Sequence, residues 1–371
     1  MSDADATVVG SSLGEVALAH DYLNQRGGAE RVVLELCRMW PSSPLYTSLY
    51  RPGSTFSEFG AYDVRDSFLG RLPVDRSFRR LLPLYPSAFR SLGEIDADTV
   101  ISSSSGWAHG VRTTSRAFHV VYCHTPARWL WTGDYSTGAW TQRALGPALS
   151  ALRRWDCRAA ARPNLYVANS RTIAERIRLA YGREAPVVHP PVDVERFEPS
   201  PRGERLLSLS RLLPYKRVDL SIEVSRRLGV GLDIVGTGPE LERLRERAGP
   251  GVRFHGVVGD DGLRELLQGC RALCLPGRED FGISPVEAMA AGKPVIALGR
   301  GGALETVKDG LTGVHFAEQT VASMAEAVRR SDRLSTPPEQ IALWARRYSA
   351  AAFRRRLLEV IAAARAQAVS V

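Results

Sequence analysis

The sequence predicts an α/β protein built from two doubly wound parallel sheets, one in each half of the chain. Short apolar runs alternate with amphipathic helical stretches nearly throughout the 371 residues, which is typical of βαβ units. The stretch 185–204 carries five prolines, and such a density breaks both helices and strands. At roughly 150 residues per domain, the length suits two units joined at this stretch.

Each half supplies its own set of predicted strands. In the first half the apolar runs are 15–23, 44–50, 98–104, 118–124 and 164–170, with helices over 27–40, about 140–161, and 171–181. In the second half they are 205–211, 232–238, 252–258, 271–277 and 293–298, and an amphipathic helix over 351–368 closes the chain. The predicted division is a disordered polar tail 1–14, a domain 15–188, a linker 189–204, a domain 205–345, and a C-terminal helix 346–371 that can return to the first domain.

Composition excludes several classes of protein. The chain is 44% hydrophobic and 24% charged, and no apolar run approaches the ~20 residues that cross a bilayer. The first fourteen residues lack the basic start and apolar stretch of a secretion signal. Five scattered cysteines, an odd number, argue against a disulfide framework and favour a reducing, cytoplasmic setting.

The net charge of +9 favours anionic partners. Segment 69–92 holds five arginines among large apolar side chains, a composition that suits peripheral binding to an anionic membrane face. A core helix with its arginines in solvent is equally compatible with this pattern. Nucleic acid is not an expected partner.

The stretch "REDFGISPVEAMAAGKPVIAL" places two carboxylates around a helix start. Pro285 suits the first turn of a helix, and Gly282 permits close approach, so the free amides there form an anion site. Glu279 would accept hydrogen bonds from hydroxyls beside that anion, and Glu287 would hold a vicinal diol. A phosphate between two hydroxyl-bearing units describes a sugar nucleotide. The alternative is a helix-dipole partner and a surface glutamate.

Two further stretches of the second half point to the same ligand. Arg211 and Lys216 follow a strand, where they would neutralise a departing diphosphate at the carboxyl edge of the sheet. Gly236 and Gly238, in "GTGPE", would let the backbone pack against a nucleotide, although the third glycine of the dinucleotide fingerprint is missing. Cysteines and histidines are dispersed, so we expect no metal and no cofactor.

In order and spacing, "SRLLPYK", "GTGPE" and "EDFGISPVEAMAAGKPVIA" resemble the donor-binding domain of the retaining glycosyltransferases of family 4. That family has the GT-B fold, two Rossmann-like doubly wound domains facing across a cleft. The acidic pair matches its E-x7-E motif. The resemblance implies that Glu279 contacts the transferred hexose, Glu287 the ribose, and Arg211 with Lys216 the diphosphate. It also assigns to the donor site the turn residues Asp280, Phe281, Gly282, Ile283 and Ser284.

The first half agrees with this resemblance. "AHDYLNQRGGAERVVLEL" is similar to the family's first strand, glycine loop and helix, so Gly27 and Gly28 would approach the donor or the acceptor. "VVYCHTPARWLW" resembles a segment of O-antigen and exopolysaccharide mannosyltransferases, which implies a catalytic position for His124, facing the donor sugar. The candidates for the acceptor side, with ordinary loop packing as the alternative, are His109, Arg128, Trp129 and Asp134. His109 stands where the family often has lysine.

The resemblance implies a retaining hexosyltransferase of cell-surface polysaccharide synthesis, with GDP-mannose as the first choice of donor. Its acceptor would be a saccharide, polyprenyl-diphosphate-linked, at the cytoplasmic face of the plasma membrane, and no divalent ion is required. A UDP-sugar donor or a soluble acceptor is the alternative within the class. From other classes, a sugar-nucleotide epimerase of the same fold and a non-catalytic sugar-nucleotide-binding protein stay open.

Overall fold

Parallel strands form the centre of each half of the chain. The computed structural model describes residues 13–72, 84–131 and 146–369. Its strands are β1 (Val16–His20), β2 (Leu45–Thr47), β3 (Val64–Asp66), β4 (Glu94–Ile95), β5 (Thr99–Ser104), β6 (Arg112–Thr113), β7 (Phe118–Cys123), β8 (Leu165–Ala168), β9 (Leu206–Leu209), β10 (Leu232–Val235), β11 (Val252–Gly256), β12 (Ala272–Leu275), β13 (Val295–Leu298) and β14 (Gly313–Phe316).

Helices connect most of these strands. They are α1 (Gly28–Met39), α2 (Tyr85–Ser91), α3 (Arg128–Trp131), α4 (Gly146–Ala160), α5 (Arg171–Tyr181), α6 (Val218–Leu228), α7 (Leu241–Arg247), α8 (Asp260–Gly269), α9 (Ile283–Ala290), α10 (Ala303–Thr306), α11 (Val321–Asp332), α12 (Pro338–Ala345) and α13 (Ala350–Val369). Short 3₁₀ helices cover Pro52–Ser54, Ser57–Ala61, Phe68–Arg71, Ala108–Gly110, Pro214–Lys216 and Arg346–Tyr348.

The two large sheets have the same strand order. The first runs β3-β2-β1-β5-β7-β8 and the second β11-β10-β9-β12-β13-β14, with every pairing parallel. A separate two-stranded ladder pairs β4 with β6. In each large sheet the order in which the chain adds strands reverses once, between β1 and β5 in the first and between β9 and β12 in the second. Ligands of such sheets bind outside the carboxyl ends of the strands at this reversal point. The prediction of two Rossmann-like doubly wound domains is confirmed.

The chain divides into two compact units. The first runs to Pro191 and takes up the chain again from Phe353, and the second covers Val192–Ala352. Most of α13 therefore belongs with the first unit, where Phe353 and Leu357 join its apolar core. Of the predicted tail 1–14, residues 1–12 lie outside the described residues, whereas Leu13 is fully buried.

Both sheets are buried on their two faces, as parallel sheets usually are. The apolar cores of the first unit lie on either side of β1, β5 and β7. Those of the second lie on either side of β9, β12 and β13, and α9 is buried along nearly its whole length. Central strands therefore read as continuous apolar runs, which explains why the sequence predicts them well.

The predicted strands all contain an observed strand, and the short edge strands β3 and β14 are the main omissions. The predicted helix from about 140 is described from Gly146 onward. Of the arginine-rich segment 69–92, residues 73–83 lie outside the described part of the chain, and its ends form a 3₁₀ helix and α2. Across the described residues, no helix has both the length and the apolar character that a membrane crossing needs.

Candidate functional site

Lys216 and Glu279 meet at the reversal point of the second sheet. Lys216 ends the 3₁₀ turn that follows β9, and Glu279 lies on the loop that follows the neighbouring strand β12. The ammonium of Lys216 donates to both carboxylate oxygens of Glu279, with Nζ 2.6 Å from Oε2. The side chains are only 14% and 13% exposed, so water screens this ion pair weakly.

Tight backbone geometry brings the turn and the loop together. Arg217 has φ of +53°, the left-handed conformation, and its side chain pairs with Asp219 at the start of α6. A Cβ on Gly277 would lie 2.7 Å from the Cα of Lys216 and 2.7 Å from the carbonyl oxygen of Tyr215. Only glycine therefore lets the end of β12 contact the turn that carries Lys216.

The loop of Glu279 is fixed from its other side by two glycines that the sequence analysis missed. The amide of Gly302 donates to the carbonyl oxygen of Glu279 at 2.8 Å. A Cβ on Gly301 would lie 2.3 Å from that same oxygen, and one on Gly302 would lie 2.4 Å from the Cα of Phe281. The run "GRGGA" after β13 was the available signal.

The start of α9 lies directly after this loop. Gly282, with φ of +89°, precedes the helix, and no side chain among the described residues caps it. Within the described part of the chain, the first-turn amides therefore have no side-chain acceptor, and the anion site at this helix start stays a prediction. The phenyl ring of Phe281 is buried against the ring of Tyr348, with the ring centres 5.5 Å apart. Only the backbone of Phe281 can therefore contact a nucleotide-sugar donor.

Asp280, Ile283 and Ser284, the other residues that the resemblance assigns to this turn, are half-buried.

Glu287 lies one turn further along α9, and its side chain is almost fully buried. Arg196 donates from Nη2 to Oε1 of Glu287 at 2.8 Å and from Nη1 to Asp260 at 3.0 Å. Its guanidinium lies 4.6 Å from the centre of the Phe197 ring. Arg196 stands in the proline-rich stretch that predicted a linker, and no motif marks it, so sequence reasoning missed it.

Arg211 follows β9 directly and is exposed, and it forms no ion pair with the residues that the structure describes. The two glycines of the predicted nucleotide turn are required by backbone contacts within the protein. A Cβ on Gly236 would lie 2.0 Å from the carbonyl oxygen of Ser210, and one on Gly238 would lie 2.3 Å from that of Leu212. These glycines therefore let the loops after β9 and β10 touch.

In the first unit, His20, Ser103 and His124 converge at the carboxyl ends of β1, β5 and β7. His20 and Ser103 are register partners. Nδ1 of His20 lies 3.1 Å from the Ser103 hydroxyl, which lies 2.8 Å from Nε2 of His124. Burial and the charge of His20 lower the pKa of His124 to about 3, so this imidazole is neutral at physiological pH. His124 is half-buried.

The glycine loop before α1 already holds a carboxylate. A Cβ on Gly27 would lie 2.6 Å from Oε2 of Glu30, whose side chain is buried. Gly28 is the first residue of α1. A negative charge beside these two glycines opposes a phosphate, so the loop is better suited to a hydroxyl-bearing group, the acceptor alternative of the sequence analysis.

His109 lies in the interior of the first unit, which corrects its predicted place on the acceptor side. Its side chain is 2% exposed, and Nε2 is 3.1 Å from Oδ1 of the buried Asp156. The other oxygen of Asp156 accepts hydrogen bonds from Trp131 at 2.7 Å and from Tyr181 at 2.9 Å. This buried charge and the rings around it account for the inward position of His109.

Arg128 and Trp129, in α3, are half-buried, and Asp134 lies outside the described residues.

Two family models match the chain, one for each half. Residues 26–196 match "Glycosyltransferase Family 4", and residues 193–340 match "Glycosyl transferases group 1". The two matched ranges meet near the boundary between the two units, and β1 and α13 lie outside both matches.

Individual relatives extend this similarity. The chain is 36% identical to a GDP-mannose-dependent alpha-(1-6)-phosphatidylinositol monomannoside mannosyltransferase of Mycobacterium tuberculosis, over 41% of this chain and 48% of that protein. It is 35% identical to a glycogen synthase of Pseudomonas syringae pv. tomato, over 35% of this chain and 29% of that protein. The chain thus spans about half the length of the first relative and less of the second.

Among solved structures, the chain is similar to Anabaena Alr3699/HepE in complex with UDP and glucose. The TM-score is 0.72 at 19% identity, covering 94% of this chain and 99% of that one. At this identity the likeness is one of fold.

Proposed function

Because the chain belongs to the family 4 glycosyltransferases, with the GT-B type of fold, we propose that it transfers a hexose from a nucleotide sugar to a saccharide acceptor. The observation that carries the proposal is the ion pair between Lys216 and Glu279. It lies where doubly wound sheets bind their ligands, and beside the uncapped start of α9. A sugar diphosphate is bound by a cation and free helix amides at its phosphates and by a carboxylate that accepts hydrogen bonds from the sugar hydroxyls.

The roles follow from the charges at this point of the second sheet. Lys216, the amides of Gly282 and Ser284, and the exposed Arg211 stabilise the negative charge that develops on the leaving diphosphate. Glu279 accepts hydrogen bonds from hexose hydroxyls, and Glu287 accepts them from the ribose. These cationic and dipolar groups supply the stabilisation without a metal ion, so the proposed reaction is metal-independent.

The proposed reaction retains the configuration of the sugar. The bond between the anomeric carbon and the diphosphate oxygen breaks, and a bond to the acceptor oxygen forms on the same face. The acceptor's proton passes to the leaving phosphate, as the family resemblance implies. This same-face route needs no carboxylate nucleophile, and in the structure Glu279 is paired with Lys216 and Glu287 with Arg196.

GDP-mannose is the donor that we favour. The support is the 36% identity to a protein named as a GDP-mannose-dependent mannosyltransferase, together with the "HTPARWLW" segment. A UDP-sugar is the alternative donor. The acceptor that we favour is a saccharide linked to polyprenyl diphosphate in cell-surface polysaccharide synthesis, and a soluble acceptor is the alternative.

A lipid-linked acceptor would place the first unit against an anionic membrane face, with the protein itself in the cytoplasm. Phe68, Leu72 and Leu84, which flank residues 73–83, are exposed by 41%, 39% and 45%. Large apolar side chains in solvent beside a basic surface suit peripheral binding to anionic lipid.

Three arginines of the first unit have charges that interact with one another. Burial lowers the pKa of the Arg162 guanidinium, and the nearby charges of Arg112 and Arg90 lower it further. Replacing Arg112 and Arg162 with glutamate should weaken co-sedimentation with vesicles of anionic lipid, since each basic residue near the surface contributes ~1 kcal/mol. Arg245→Glu, an exposed arginine of the second unit, is the control. Equal binding by all three proteins would contradict the membrane proposal.

The transfer proposal is tested by screening GDP-, UDP- and ADP-sugars for thermal stabilisation, then following the stabilising donor with and without saccharide acceptors. A transferase releases the nucleoside diphosphate and moves the hexose to an acceptor. An epimerase would form an isomeric sugar product with no acceptor present. Stabilisation without any turnover would instead identify a binding protein.

A further inference from the structure

We propose that Ser103 is a positioning residue that fixes the tautomer of His124, with the hydrogen on Nδ1 and none on Nε2. His124 then offers its ligand an N–H donor, never an acceptor or a titrating base. The consequence for catalysis rests on the proposed function and on the family resemblance, which implies that His124 faces the donor sugar. The tautomer itself rests on the geometry of the first unit alone.

The position of Ser103 follows from strand pairing. Its strand β5 lies between β1 and β7, and Ser103 pairs with His20 on one side and with Tyr122 on the other. The side chains of His20 and Ser103 are buried. The Ser103 hydroxyl is therefore enclosed between two imidazoles, 3.1 Å from Nδ1 of His20 and 2.8 Å from Nε2 of His124.

The direction of each hydrogen bond follows from one carbonyl group. Nδ1 of His20 lies 3.0 Å from the carbonyl oxygen of Ser103, and a carbonyl oxygen can only accept. Nδ1 of His20 therefore carries a hydrogen and also directs it toward the Ser103 hydroxyl as a shared, three-centre bond. The hydroxyl accepts on that side and keeps its single hydrogen for another partner, and we assign that hydrogen to Nε2 of His124, 2.8 Å away.

The surroundings of His20 favour its doubly protonated form and so favour hydrogen bonds in this direction. Burial lowers the pKa of His20, but the Glu30 carboxylate, 3.8 Å from Nε2, and the nearby charge of Asp21 outweigh it and raise the pKa above its usual value. A doubly protonated His20 cannot accept a hydrogen bond from Ser103. The same positive charge, together with burial, keeps His124 neutral. A neutral imidazole that accepts at Nε2 must carry its hydrogen on Nδ1.

The neighbouring serine supplies a matched control. Ser102 is buried on the same strand, and its hydroxyl lies 2.8 Å from Nε2 of another histidine, His119. Ser102→Ala thus removes a hydroxyl from β5 and a serine–histidine hydrogen bond without touching His124. Ser103→Thr, in contrast, keeps the hydroxyl at the proposed position.

The test is long-range ¹H–¹⁵N NMR of the full chain labelled in histidine, with the His124 signals assigned from their loss in His124→Gln. In the wild type we expect Nδ1 of His124 to be protonated and Nε2 to be bare, a result that requires no other variant. Ser103→Ala should shift the population toward the Nε2–H tautomer, whereas Ser102→Ala and Ser103→Thr should keep the wild-type pattern.

Kinetics separate this inference from the proposed function. Ser103→Ala should lower single-turnover transfer roughly 3- to 10-fold, the effect of one misdirected neutral hydrogen bond, and Ser103→Thr should restore it. A wild-type His124 protonated on Nε2, or a tautomer unchanged in Ser103→Ala, would overturn the positioning role. A fixed tautomer in a protein that turns over no nucleotide sugar would overturn the proposed function and leave the positioning role standing.

Discussion

Replacing Glu279 with glutamine separates the two partners of the central ion pair. In the structure Lys216 donates to both oxygens of Glu279, so a diphosphate competes with this carboxylate for the positive charge of Lys216. Glu279→Gln removes the competing charge and keeps the shape of the side chain. We therefore expect this variant to bind free nucleoside diphosphate more tightly than the wild type, and to transfer hexose more slowly.

The magnitude follows from the geometry. Unit charges ~4 Å apart attract by about 4 kcal/mol at an effective dielectric constant of ~20, which is the gross interaction that the diphosphate must replace. The side chains are 14% and 13% exposed, so screening by water reduces this only partly. A hydrogen bond to a charged group contributes a net 1.5–3 kcal/mol, so diphosphate should bind roughly 10- to 150-fold more tightly.

The assay is calorimetry with GDP and UDP on the wild type, Glu279→Gln and a control. Glu242→Gln, an exposed glutamate of α7, removes the same charge from the second unit away from the loop and should leave affinity unchanged. The reasoning is wrong if Glu279→Gln binds diphosphate no more tightly than Glu242→Gln. The sequence alone suggests no such gain, because it does not reveal that Lys216 and Glu279 are paired.

Three further outcomes are expected. Urea unfolding of Arg196→Gln, Glu287→Gln and the double variant should give a coupling energy of about 1–3 kcal/mol for this mostly buried pair, and additive effects would refute the contact. Affinity for nucleoside diphosphate should be the same in EDTA, and loss of binding would refute the metal-free site. Burial, with the charges of His109 and Arg162, lowers the pKa of His119 to about 3, so protonation favours the unfolded chain and stability falls as pH drops below ~6.5. Below pH 6.5, His119→Gln should reduce that loss with a slope that approaches about 1.4 kcal/mol per pH unit near pH 5, and an unchanged slope would count against a buried neutral His119.

The fold could be predicted because its central strands are buried on both faces. Runs such as "FHVVYC" and "VIAL" therefore stand out against the helices between them. The edge strand β3 escaped because its three residues, VRD, are half-buried or exposed, and β14 because its four residues, GVHF, include a glycine and a histidine that interrupt the apolar pattern. The predicted linker contains Val192, Val194 and Phe197, which are buried in the core of the second unit. Proline density indicates that regular secondary structure is absent, but it does not indicate that the side chains are exposed.

The acids and cations of the second unit could be predicted because the motif keeps them close in sequence to a helix start or a strand end. Their partners could not. Arg196 reaches Glu287 across 91 residues of chain, and Lys216 reaches Glu279 across 63. Ser103 is one of four consecutive serines, and only its register with His20 distinguishes it from the others. Such pairings depend on how the strands are ordered, which residue patterns do not encode locally.

Release of nucleoside diphosphate from a nucleotide sugar, measured in a single turnover with wild type and Glu279→Gln, tests the central claim most directly. With a saccharide acceptor present, we predict that the wild type releases diphosphate and forms the glycosylated acceptor in equal amounts, with the anomeric configuration of the hexose retained. We also predict that Glu279→Gln binds the free diphosphate tightly but releases it from the donor far more slowly. Equal release by the two proteins, or no release by the wild type from any GDP-, UDP- or ADP-sugar, would contradict the assignment of this site.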